Sequence, residues 1–171
     1  QGTTVDMSVW KEKIKRLPMV TEVLDNYYHP MISDRVMTTQ IFHWEGHEDR
    51  LEHPIPATIF LAKEEFFEYY GITLLAGEWL NNFSTKEDII INESLARKLG
   101  WTAEEAIGKH FGNYSGAVEH QIVGVVKDCH YGPPTSKMLN VAFIAEDYAG
   151  LAFLNTSVFF KYKEGTWPQC K

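Results

Sequence analysis

No apolar run in these 171 residues approaches the roughly eighteen that a membrane-spanning helix needs. No charged-then-apolar leader opens the chain either. Cysteine is scarce. Cys129 and Cys170 are too few for a disulfide framework, and no native pairing between them is expected. Cys129 reads as a small apolar filler on a strand. Basic charge is also in short supply: 16 Lys and Arg against 23 Asp and Glu give a net charge of −7. That balance argues against a nucleic-acid partner, which wants a basic face, and against docking on anionic lipid.

Several catalytic signatures are missing. A phosphate-binding loop needs G-x-x-x-x-G-K-[ST] after a strand, whereas Gly108-Lys109 is followed by His110, has Ala103 at the first glycine, and follows a helical pattern. No G-x-G-x-x-G and no H-E-x-x-H occurs. His43, His47 and His53 fall near Glu45, Glu48, Asp49 and Glu52, a set with zinc-binding chemistry. However, His43 ends a strand pattern and Gly46 interrupts the helical spacing, so a solvated polar loop is the expectation. Asp128, Cys129 and His130 suggest a nucleophile with its base, but neighbours on a strand diverge to opposite faces. No catalytic, metal or cofactor residue is expected.

What the chain does have is apolar content, 44% hydrophobic and 13% aromatic, enough for a packed core. Its length suits one domain or two small lobes burying about 70% of the unfolded surface. Met7 to Leu17 places Met7, Trp10, Ile14 and Leu17 at helical spacing before Pro18. Strands are expected over 20–28, 35–44 and 55–62, the last entered through Pro54 and Pro56. Lys63 to Tyr70 reads as a short amphipathic helix stopped by Gly71. Its aromatics Phe66, Phe67, Tyr69 and Tyr70, with Trp79 soon after, exceed what one helix face buries. They are a candidate interaction surface, or else a packing layer between lobes.

The stretch from Ile89 to Tyr131 reads as a strand, two capped helical turns, an Ile-Gly-Lys turn and a valine-rich strand. Asn92 is placed to N-cap a helix bearing Leu95, Ala96 and Leu99, with Gly100 as its left-handed C-cap. Thr102 and Glu105 stand at capping-box spacing before Gly108. Gly132-Pro133-Pro134 breaks the chain, and strands follow over 139–145 and 156–162. Strands and helices interleave with connections too short for regular crossovers, so an α+β arrangement with mixed sheets and short helices is expected.

In this order, Asn92-Glu93 with Ala96 and Leu99-Gly100, then Ile107-Gly108-Lys109 with Phe111, then IVGVVKDCHY over 122–131, resemble the extracytoplasmic domain of MacB/FtsX-like ABC-transporter permeases. Gly71 to Trp79 is similar to a further signature of that family. Two departures are Glu78, where a basic residue is common, and Cys129, where an aromatic is usual. The resemblance covers nearly the whole chain. It implies a two-lobed periplasmic core domain, one lobe from residues near 1–80 and 138–171, the other inserted over 81–137, with breaks at Asn81 and Gly132.

It also implies a non-catalytic module outside the bacterial inner membrane, with Trp10, Ile14 and Leu17 on a stalk. The abrupt ends at Gln1-Gly2 and Cys170-Lys171 fit a fragment whose membrane helices lie outside this sequence. ATP would be used by a separate cytoplasmic subunit, and a second permease subunit and a periplasmic partner or cargo would complete the assembly. Drug or toxin export, lipoprotein release, peptide resistance and cell-wall control all occur among such permeases. The alternative is a secreted peptide- or glycan-binding module with no motor. A metal enzyme on the histidine loop ranks third.

Overall fold

Alternation of apolar and polar residues with period two decides how the strands are used. In chain order the elements are α1 (Met7–Lys15), β1 (Val20–Asn26), β2 (Met37–Trp44), β3 (Ile55–Ala62), α2 (Glu64–Tyr70), β4 (Leu74–Gly77) and β5 (Asp88–Asn92). They continue as α3 (Glu93–Leu99), α4 (Ala103–Ala106), β6 (His110–Asn113), β7 (Glu119–Val126), β8 (Val141–Ala145) and β9 (Ser157–Tyr162). The computed structural model describes residues 7–26, 37–46, 54–62, 64–80, 84–85, 87–113, 119–130, 137–145 and 157–166.

Seven strands form one mixed sheet in the order β4-β7-β5-β8-β3-β2-β6, and β6 also pairs with β7. That last pairing closes six strands, β7-β5-β8-β3-β2-β6, into a small barrel. β3–β8 and β5–β7 are parallel, and the other pairs are antiparallel. β4 adds to the outside edge of β7 beyond the stretch that β6 occupies. β1 and β9 make a separate two-stranded antiparallel ribbon.

Each barrel strand sends alternate residues inward. Ile55, Ala57 and Leu61 of β3, Ala142 and Ile144 of β8, and Ile89 and Ile91 of β5 join Ile41, Phe111, Ile122 and Val125 in one buried cluster. Leu95, Ala96 and Leu99 of α3 and Ala106 of α4 belong to the same cluster, so the helical insertion packs against the barrel's interior. The Trp44 indole N–H donates to the Leu99 carbonyl at 3.0 Å, fixing α3 to the end of β2. The residues of opposite parity, Phe60, Ala62, Val141, Phe143 and Ile90, face outward into a second cluster under α2. Leu24 of β1 is buried there and Phe159 of β9 packs against it, which seats the ribbon over α2.

The helix caps are as the sequence dictates. Asn92 Oδ1 accepts from the Leu95 N–H, and Gly100 closes α3 at φ 94°. The reciprocal Thr102–Glu105 capping box is complete. α1 ends at Lys15, two residues short of Leu17. β6, like β4, is an element that sequence reading misses. HFGN contains no β-branched residue, and only its pairing with β2 on one side and β7 on the other makes it a strand.

The strands expected in separate lobes share this sheet: β8, expected in the first lobe, pairs with β5, expected in the second. The expected break points, Asn81 and Gly132, lie outside the described residues.

Candidate interaction surface

α2 carries the aromatic group and points it two ways. Phe66 and Phe67 are 0% and 1% exposed. Their rings stack against Phe143 at centroid distances of 5.7 and 5.2 Å, in tilted and edge-to-face geometry. These two residues are therefore withdrawn from the candidate surface: at adjacent positions on the inner side of α2 they both reach the barrel's outer face. Tyr69, Tyr70 and Trp79 are half-buried at the margin of the same cluster. Trp79 lies 4.7 Å from the Phe67 ring. Burial, then the neighbouring Tyr69, pushes the Tyr70 hydroxyl up to about 12. Burial and then Glu22 raise that of Tyr69. Both stay neutral hydroxyls across physiological pH.

Beside Tyr69, where α1, β1 and α2 meet, an open groove of about 500 Å³ is lined by Lys15, Glu22, Val23, Glu65 and Glu68. Its charges are largely matched in place. Lys11 bonds Glu65 at 2.6 Å, and Lys161 of β9 bonds Glu22 and the Tyr69 carbonyl, each at 2.6 Å. The Lys161 ammonium also sits 4.5 Å from the Tyr69 ring centroid. On α1, Trp10 is exposed and Ile14 is half-buried, and Leu17, just past the helix, is exposed; Lys13 lies over the Trp10 ring at 5.2 Å.

Across the barrel, His43, Trp44, Glu45, His110 and Glu119 line a cleft of about 200 Å³. His43 packs directly over Gly112, where any Cβ would overlap the imidazole. Lys109 is ion-paired with Glu45 at this rim. Among the described residues no group of three or more His, Cys, Asp and Glu is arranged to hold a metal. His47 and His53 lie outside the described residues, as does Cys170.

Asp128 is the centre of a polar hub. Its carboxylate accepts from Asn92 Nδ2 at 2.7 Å, the Ser94 N–H at 2.9 Å, Ser94 Oγ at 2.6 Å and Arg97 at 2.9 Å. Asn92 also donates to the Leu139 carbonyl at 2.8 Å and accepts from the Val141 N–H at 2.8 Å. These groups are committed to one another, and the hub ties β5, α3 and β8 to the end of β7. Cys129 and His130 lie beyond the last residue of β7, with Cys129 packed against the outer cluster.

Three solved structures share this arrangement. A domain assigned to a permease of Porphyromonas gingivalis superposes with a TM-score of 0.62 and 18% identity, over 94% of this chain and 70% of that one. The periplasmic region of MacB from Actinobacillus actinomycetemcomitans gives a TM-score of 0.55 and 12% identity, over 91% of this chain and 64% of that one. The fold is that of MacB-type extracytoplasmic domains. The extracellular domain of the ABC-type transporter YknZ from Gram-positive bacteria agrees too, with a TM-score of 0.59 and 14% identity over 93% of this chain and 74% of that one. No protein-family model and no curated protein matches the sequence. The MacB-type fold accords with the α+β class read from the sequence. Among the described residues no helix is long and apolar enough to cross a membrane.

Proposed function

We propose that this chain is the non-catalytic extracytoplasmic module of an ABC-transporter permease at the bacterial inner membrane. In this reading, membrane helices outside the sequence connect it to a cytoplasmic ATPase and to a second permease subunit. ATP is consumed by the ATPase, and this chain needs no cofactor. Its movements act on cargo or on a partner protein outside the membrane. The supporting observation is the MacB-type fold, matched over 91% to 94% of the chain by three such domains. α1 with Trp10 and Ile14, and Leu17 just beyond it, would be the stalk through which motion enters. Tyr69, Tyr70 and Trp79, beside the charge-paired groove, would be the surface it presents.

The test is purification of the full-length protein from detergent-solubilised membranes of its host, read by mass spectrometry and an ATPase assay. Co-purification of an ATP-binding subunit with measurable turnover is the expected outcome. Recovery as a soluble protein without any ATPase would replace this reading with a secreted binding module.

A further inference from the structure

Residues from all six barrel strands surround a small internal cavity: Ile41, Ile59, Ala142, Ile89, Phe111 and Gly112, and His120. All but one are apolar, as a barrel lumen of this size requires. His120 is the exception. It is the inward-facing residue of β7 two positions before Ile122, and it is the register partner of Phe111 across the seam where β6 closes the barrel. Its ring is hydrogen-bonded to the main chain at Glu87, while its buried Nδ1 has no hydrogen-bond partner among the described residues. The Phe111 ring lies 5.9 Å away.

A neutral imidazole tolerates that position, because an unprotonated Nδ1 forfeits only one acceptor interaction. An imidazolium does not, because it places a charge and an unmatched donor in an apolar lumen. We propose that His120 makes the β6–β7 seam an acid-sensitive latch, closed while the ring is neutral and opened when a proton enters the lumen. β6 suits that role: it is four residues long and is held by three register pairs on each side.

The surrounding charges do not offset the cost. β2, β3, β5, β6 and β8 present Ile41, Ile59, Ile89, Phe111 with Gly112, and Ala142 to the cavity, none of which titrates. Glu119 and Gln121 alternate to the outer face of β7, where Glu119 shares the outer cleft with His43, Glu45 and His110. The Asp88 carboxylate is engaged by the Thr85 N–H at 2.5 Å. Glu87 is the exception: its main chain and its carboxylate both favour the charged ring, yet burial outweighs them and holds His120 below the ordinary value of 6.5. The unfolded or opened chain therefore takes the proton first. Seam stability is complete above about pH 6.5 and is lost as pH falls from there through the folded value.

Amide hydrogen exchange on the full chain tests this, at about pH 7.5 and about pH 5, after correction for the intrinsic pH dependence of exchange. Protection over 110–112 and 119–121 should fall at the lower pH relative to the β3–β8 amides. The non-titrating His120→Gln and His120→Phe variants should lose that difference, whereas His43→Gln should keep it. Seam protection equal at both pH values in the wild-type protein would overturn the proposal. So would an undiminished acid response in either His120 variant that folds. If neither variant folds, the ring's own NMR titration decides: a midpoint at or above 6.5 overturns the proposal and one below it supports it.

Discussion

Asp128 shows how one carboxylate and one amide tie together three separate stretches of chain. Its partners Asn92, Ser94 and Arg97 belong to the β5–α3 junction, and Asn92 carries the connection on to Leu139 and Val141. Replacing Asp128 with Ala strands the Asn92 amide and the Ser94 N–H in a part-buried setting. A loss of about 2–3 kcal/mol is expected, read as a lower urea midpoint with unchanged slope. Arg97→Ala should cost under about 1 kcal/mol, because the guanidinium is largely exposed and the same bond is screened by solvent. The sequence offered Asn92 as a cap because capping is a local relation over three residues. It hid Asp128, because the hub forms across intervals of 31 to 36 residues that no spacing rule encodes.

At the scale of elements, α2 divides its aromatics by depth, and the division predicts contrasting mutants. Phe67→Ala removes a ring packed between Phe143 and Trp79, and about 3–5 kcal/mol of stability should go with it. Tyr69→Ala leaves the inner cluster intact and removes the Lys161 contact, so a smaller loss of about 1 kcal/mol is expected. Thermal unfolding of the two variants side by side checks the order. On α1, Trp10→Ser should change stability by less than about 0.5 kcal/mol, since the indole is 51% exposed. If α1 is the stalk, the same change should uncouple ATP hydrolysis from transport in the assembled protein. Strand and helix positions were readable wherever period and caps agreed, as in α3, α4 and β3. The inward and outward faces of α2 were not readable, because Phe, Phe, Tyr and Tyr in five positions carry no apolar-polar contrast. β6 was equally silent: its strand character comes from two neighbours and from the Gly112 position that accommodates the His43 ring.

For the whole molecule, order along the chain and order in space diverge. Composition and the interleaving of patterns pointed to mixed sheets with short helices, and the three similar structures share that class. Barrel closure was not visible in advance, since it depends on one strand finding two partners. The ribbon has a consequence for loading. Val20 pairs with Tyr162, and the Lys163 N–H continues the ladder to the Met19 carbonyl at 2.8 Å. The chain therefore enters the ribbon through α1 and leaves it after β9 at the same end. Tension drawn between those two points peels the pairs apart one at a time, beginning at Met19 and Lys163, and never shears the ladder as a block. The weakest mechanical path thus runs through six residues of ribbon, and the barrel stays outside the line of force until the ribbon has opened.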